Sequence, residues 1–175
     1  KSLLILGTGA IALLCCAYAK LLGAGRIVHL GRPGARFDAA LPVARAFGAD
    51  EVRASATDEL FDDALVAAPP SLAGDAIDRL SYGGTALVAG VAFDEGSKRA
   101  TLDISGMVFS KKSLLTSIAE PAQGFPLAAR LIESGRIDAA SIVTHRLPMG
   151  EAPEKLENCY REGAIKVILH PQEDV

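Results

Sequence analysis

The sequence predicts an α/β domain built on a doubly wound parallel sheet, with six main strands and helices on both faces. Three observations predict it. Short apolar runs recur without polar alternation, as in strands covered on both sides. Helical stretches separate those runs, which gives βαβ units. Glycines punctuate the helix ends.

The elements follow in order. Strands are expected at Leu3–Leu6, Ile27–Leu30, Glu51–Ala54, Ala64–Ala68, Thr85–Ala89 and Leu114–Ile118. Helices are expected at Ala10–Leu22, Asp38–Phe47, Leu72–Leu80 and Phe125–Ser134, with Gly23, Gly48, Gly83-Gly84 and Gly135 closing them in turn. Residues 1–140 form this main unit. Residues 141–175 read as strand Ile142–Thr144, helix Gly150–Glu162 and strand Lys166–Leu169, followed by a Pro-containing polar tail. This last segment either closes the sheet or belongs to a neighbouring module.

Composition narrows the function classes. The chain has 175 residues, is 50% hydrophobic and carries a net charge of −3, so it lacks a basic nucleic-acid footprint. Aromatics are scarce and Trp is absent, which disfavours stacking on single-stranded bases. Cys15 and Cys16 are adjacent and Cys159 is distant, an odd set that fits a reducing, cytoplasmic compartment better than a disulfide framework. Ser2–Ala19 is uncharged between Lys1 and Lys20 and imitates a signal peptide or short membrane span. Gly7 and Gly9 interrupt it and a second strand follows, so a buried strand and helix are expected, with no membrane partner. The first residue is Lys rather than Met, as expected of a piece of a longer protein.

Residues 7–12, Gly-Thr-Gly-Ala-Ile-Ala, carry the chemistry. They follow an apolar strand and open a helix, the context that makes a G-x-G-x-x-A pattern a dinucleotide fingerprint of the Rossmann fold. Gly7 permits the tight turn, Thr8 sits between the glycines, and Gly9 lets a pyrophosphate approach the backbone. Ala10 and Ile11 present helix N-terminal N–H groups to the phosphates, and Ala12 allows close helix packing. At the end of the second strand, where an acidic residue would accept from a ribose 2′-hydroxyl, the chain reads His29-Leu30-Gly31-Arg32-Pro33-Gly34-Ala35-Arg36. Gly31 in place of the acid, with Arg32 and Arg36 near a 2′-phosphate position, leans the cofactor toward NADP over NAD. Solvated loop arginines are the plainer alternative.

Other candidates are weaker. His29, His145 and His170 are too scattered for a zinc site: His29 is placed at a strand end, the others on the surface. Cys15-Cys16 reads as core packing. Asp58-Glu59-Asp62-Asp63 reads as a solvated helical turn before the fourth strand rather than a cation site. No G-x-S-x-G elbow and no Tyr-x-x-x-Lys pair occurs, so no catalytic and no metal-ligating residue is expected in the chain.

The order of segments resembles the cofactor-binding half of the medium-chain alcohol dehydrogenase/reductase family, which includes zinc-binding dehydrogenases. The resemblance is carried almost end to end. Leu-Leu-Ile-Leu-Gly-Thr-Gly-Ala-Ile-Ala (3–12), Ala-Lys-Leu-Leu-Gly-Ala (19–24) and Ala-Arg-Ala-Phe-Gly-Ala-Asp-Glu-Val (44–52) come first. Tyr-Gly-Gly-Thr-Ala-Leu-Val-Ala-Gly-Val (82–91) and Leu-Ile-Glu-Ser-Gly-Arg-Ile (131–137) follow, then Ile-Val-Thr-His-Arg-Leu-Pro (142–148) and Ala-Ile-Lys-Val-Ile-Leu (164–169).

The resemblance implies hydride transfer at a nicotinamide held near Gly90-Val91 and Ser117-Ile118, with Ala68 closing the fourth strand beside the cofactor. It implies a small-molecule substrate bound against a second, barrel-type catalytic domain, which also holds zinc where zinc is used. Residues from about Ser141 would turn toward that domain, and this chain alone would bind cofactor without turnover. It further implies a homodimer through an edge strand at Ala100–Ile104. Three departures stand out: Ala12 as the third small residue, Pro69-Pro70 after the fourth strand, and a longer Arg32–Asp38 loop. A non-catalytic dinucleotide-sensing or regulatory module is the alternative reading.

Overall fold

A computed structural model describes residues 1–54 and 58–171. The order is β1 (Ser2–Leu6), α1 (Ala10–Leu21), β2 (Arg26–Leu30), α2 (Ala35–Ala46), β3 (Glu51–Arg53), β4 (Phe61–Val66), α3 (Ala73–Asp78) and β5 (Leu80–Val88). There follow α4 (Ile104–Phe109), β6 (Ser113–Thr116), α5 (Pro121–Glu133), β7 (Val143–Pro148), α6 (Ala152–Arg161) and β8 (Lys166–His170). The first six strands form one parallel sheet in the order β3-β2-β1-β4-β5-β6. The order reverses direction at β1, so the crevice beyond the carboxyl ends of β1 and β4 is the switch point where such sheets bind ligands.

Burial explains the apolar runs. On one face Leu4, Leu6, Val28, Val66 and Phe61 pack with Ile77 of α3 and, at the margin, Met107 of α4. On the other face Ile5, Ile27 and Leu65 meet Leu13 and Cys16 of α1 and Ala40 and Ala44 of α2. The central strands β1, β2 and β4 are apolar on both sides, because each face there is covered by a helical layer.

The C-terminal βαβ unit forms its own parallel pair, β7 with β8. It is not detached, because Ile142 and Ile165 complete the α1–α2 side of the core. The polar tail beyond Pro171 lies outside the described residues.

Several expectations are corrected. Ala100–Ile104 is not an edge strand: the Asp103 side chain accepts from the Gly106 N–H and caps α4, so Ile104 begins a helix. The described free edges of the sheet are β3 and β6. Gly83-Gly84 lies inside β5 rather than closing a helix, because Gly84 sits against the carbonyl oxygen of Asp62 on the neighbouring strand. Asp62 and Asp63 belong to β4 rather than to a helical turn, with Asp62 accepting from the Ser2 N–H at 2.7 Å and Asp63 paired with Lys1 at 3.1 Å. The longer Arg32–Asp38 loop is also absent, since α2 begins at Ala35 and only Gly31–Gly34 connects it to β2.

Candidate nucleotide-binding site

The turn from β1 into α1 is set by Gly7. Its φ is +133°, and a Cβ there would stand 2.5 Å from the Ala67 carbonyl oxygen on β4's exit. Only glycine meets both conditions. Its N–H donates to the Leu30 carbonyl at 2.9 Å, which ties the turn to the end of β2. Gly9 differs. Its φ of −86° suits any residue, but nothing lies within 4 Å of a Cβ built there, so the missing side chain leaves open space above the backbone.

No side chain caps α1 and its first turn holds no acidic residue. The N–H groups of its first turn therefore keep their donors, with the positive end of the helix dipole behind them. Ala10 is half-buried, Ile11 is exposed and Ala12 is fully buried against the core.

A cleft of about 800 Å³ opens over this turn, lined among others by Gly7, Thr8, Gly9, Gly31, Arg32, Arg36 and Ala68. Gly31 is wedged: a Cβ would meet Thr8 Cγ2 at 2.2 Å and the Phe37 ring at 2.7 Å. Arg32 is exposed at the cleft's rim, and among the described residues it holds no ion pair. Arg36 is otherwise engaged. Its Nε donates to the Ala164 carbonyl at 3.0 Å and its guanidinium lies 5.7 Å from the centre of the Tyr160 ring.

The other expected residues stand apart from this cleft. Gly90 packs so closely on the Ala68 carbonyl that a Cβ would come within 1.8 Å of it, and its N–H donates to Val66 O at 3.0 Å. Val91, Ser117 and Ile118 are exposed beyond the ends of β5 and β6. They share the carboxyl edge of the sheet with Gly7, because every strand is parallel.

Sequence reasoning missed several lining residues. Phe37 seats Gly31, and Tyr160 and Arg161 reach the cleft from α6. A hydrophobic pattern signals none of these, since the contact of α6 with α2 is tertiary. His29 is the penultimate residue of β2, near the strand end where the sequence places it, and is buried, with 1% of its surface accessible and Nε2 bonded to the Gly7 carbonyl. Burial pushes its imidazole below the ordinary histidine range, partly offset by that hydrogen bond.

Cys16 is buried and its thiol is pushed up to about 11 by desolvation, while Cys15 is half-buried and also raised. Both sit in packing positions on α1. Glu51 and Glu59 are held below the usual carboxylate range by Arg26 and Arg53 at the far edge of the sheet. Among the described residues, no group of three or more His, Cys, Asp or Glu could hold a metal ion, and no helix is long and apolar enough to cross a membrane.

No family model matches the chain. Sorbitol dehydrogenase of Bombyx mori is 29% identical over 98% of the chain and 51% of the relative's own length. A zinc-type alcohol dehydrogenase-like protein of Escherichia coli (strain K12) is 26% identical over 97% of the chain and 49% of its own length. Among solved structures, a protein described as a zinc-binding dehydrogenase from Sinorhizobium meliloti 1021, bound to NADP, superposes with a TM-score of 0.85 at 23% identity, over 97% of this chain and 52% of that one. A protein described as a short chain alcohol dehydrogenase from Escherichia coli CFT073, complexed with NADH, superposes with a TM-score of 0.81 at 19% identity, over 96% of this chain and 51% of that one. The structural likenesses show the fold. The chain spans about half the length of the curated relatives it matches. Over nearly its whole length, the chain is similar to about half of a sorbitol dehydrogenase and of a zinc-type alcohol dehydrogenase-like protein.

Proposed function

We propose that the chain is the nucleotide-binding unit of an NAD(P)-dependent oxidoreductase that acts on an alcohol or polyol and the matching carbonyl compound. The observation that carries this is the turn at β1: a glycine forced by geometry, a second glycine that opens space, and an uncapped helix N-terminus facing a large cleft. When bound, the nicotinamide supplies or accepts the hydride. The residues of this chain hold and orient. Gly7, Thr8 and Gly9 and the N–H groups of Ala10 and Ile11 receive the pyrophosphate, while Ala12 keeps α1 close to the sheet. Ala68 and Gly31 bound the adenosine side. Gly90, Val91, Ser117 and Ile118 receive the nicotinamide end at the carboxyl edge.

NADP is favoured over NAD. An acidic side chain at position 31 would collide with Thr8 and Phe37, and Arg32 beside it is exposed and has no ion pair among the described residues. Guanidinium suits a 2′-phosphate, and no carboxylate stands at Gly31 to repel one. In the same reading, residues from about Ser141 face a second domain that supplies the substrate pocket and any zinc, and the described residues bind the cofactor. Calorimetric titration with NADPH and NADH tests the reading. Binding of NADPH, tighter than NADH, is the expected result, and no binding of either at millimolar concentration overturns it.

A further inference from the structure

His29 is an expensive residue where it stands. It lies in β2 between Val28 and Leu30, opposite Ile5 of β1 and Val52 of β3, and is 1% exposed. Among the described residues its Nδ1 is the one buried side-chain polar atom without a hydrogen-bond partner. A branched aliphatic residue would fill this position at lower cost, because burying an unpaired polar atom costs about 1–3 kcal/mol. The ring's other nitrogen identifies what the residue does. Nε2 is bonded to the carbonyl oxygen of Gly7, the residue that starts the dinucleotide turn. A carbonyl can only accept, so Nε2 carries the proton and donates, and Nδ1 is left bare.

We infer that His29 is a positioning residue of the nucleotide site: by donating to the Gly7 carbonyl from beneath, it fixes the peptide plane from which Thr8 and Gly9 rise. This inference rests on the proposed reading of the cleft as a dinucleotide site. Gly7 is held at three points. Its N–H is anchored to Leu30, the space where a Cβ would stand is taken by the Ala67 carbonyl, and its carbonyl is anchored to His29. Among the described residues Gly9 has no neighbour within 4 Å of where a Cβ would be, so no side chain covers the turn at Gly9 on the cleft side. Removing the donor from below leaves the Gly7 carbonyl without its anchor and widens the range of orientations open to the Gly7–Thr8 peptide. Nucleotide binding must then order a segment that the wild-type chain presents already ordered.

The test compares His29→Leu with His29→Gln in the full chain, by NADPH and NADH titration alongside thermal melting. Leucine removes both the orphaned Nδ1 and the donor; glutamine restores an N–H at the position of Nε2. The expected result is an affinity for both nucleotides lowered about five- to tenfold in His29→Leu, with a melting temperature equal to wild type or higher. His29→Gln recovers most of the affinity. A merely structural role predicts instead that melting falls and affinity holds. The inference is overturned if His29→Leu binds as wild type does, or if His29→Gln is as weak as the leucine variant. Should His29→Leu fail to fold, ¹⁵N resonances of the wild-type imidazole decide. A protonated Nε2 whose signal moves on adding NADPH supports the inference, and an Nδ1–H tautomer or an unmoved signal overturns it. A wild-type chain that binds neither nucleotide overturns the dinucleotide reading itself, an outcome distinct from each of these.

Discussion

Arg36, in the first turn of α2, donates from Nε to the carbonyl oxygen of Ala164, just ahead of β8, at 3.0 Å. Its guanidinium also lies over the Tyr160 ring, and Gly163 presses on the backbone of Ala35, where a Cβ would stand 2.5 Å from the Ala35 carbonyl carbon. Two arginines that look equivalent in sequence therefore have different surroundings. Arg32 stands exposed at the rim without an ion pair among the described residues, whereas Arg36 joins the C-terminal unit to the main sheet's helices.

The two arginines are expected to separate under mutation. Arg32→Ala should weaken NADPH on the order of tenfold and leave NADH nearly unchanged, because it removes a partner for the 2′-phosphate alone. Arg36→Ala should weaken both nucleotides to a similar degree and lower stability by roughly 1–3 kcal/mol, since it unlinks one wall of the cleft. Parallel calorimetry and urea unfolding of the two variants check this. Equal behaviour of the pair would count against the assignment.

Gly7 and Gly9 should also part company. Gly7→Ala places a Cβ at a φ of +133° and within 2.5 Å of the Ala67 carbonyl oxygen, so a stability loss of roughly 2–4 kcal/mol is expected. Gly9→Ala meets no atom and takes up an ordinary φ, so stability should hold or rise slightly. Its effect belongs to the ligand, where the added methyl occupies the pyrophosphate's approach and affinity falls on the order of tenfold. Denaturant midpoints and nucleotide titrations of both variants separate the two roles.

How much of this was legible in the sequence depends on the range of the contacts. The β1–α1–β2 unit was readable because its signals are local: an apolar run, glycines at the turn, and a helix of matching length. Gly83-Gly84 reads as the stop after a third helix over Leu72–Leu80, whereas β5 already begins at Leu80. Glycine pairs ordinarily break elements, yet here the pair lies within β5, where Gly84 packs closely on Asp62 of the adjacent strand. The edge strand at Ala100–Ile104 failed for a related reason, since an N-cap aspartate at Asp103 outweighed the apolar residues around it. Nothing in the neighbourhood of Arg36 along the chain reveals its hydrogen bond to Ala164. Tyr160 was missed for the same cause.

Acidification should expose His29. Histidine ordinarily titrates near 6.5, and burial holds His29 lower in the folded chain. On lowering the pH through about 6.5, the unfolded chain takes up a proton that the folded chain refuses. The resulting stability is complete above that value and declines as pH falls toward the depressed folded value. Urea midpoints measured between about pH 8 and pH 5.5 should fall for the wild type and fall less for His29→Leu. The carboxylates held low by arginines add their own loss only at more acid pH.

Cys16 should be chemically quiet in the native chain. With its thiol pushed up to about 11, roughly one molecule in a thousand carries thiolate near pH 8, and the sulfur is also enclosed by the core. Labelling with an aromatic disulfide reagent should be slow under native conditions and fast in urea. Rapid native modification of Cys16 would contradict the packing described.

The link between Arg36 and Ala164 spans 128 positions along the chain. Closing a loop of that length before its contacts form is entropically costly, so this wall of the cleft is expected to assemble late, after the β1–α1–β2 unit has condensed. A ligand that needs the finished wall cannot assist the steps before it. Added nucleotide should therefore slow unfolding while leaving the refolding rate almost unchanged, making the cofactor a brake on opening rather than a guide to folding.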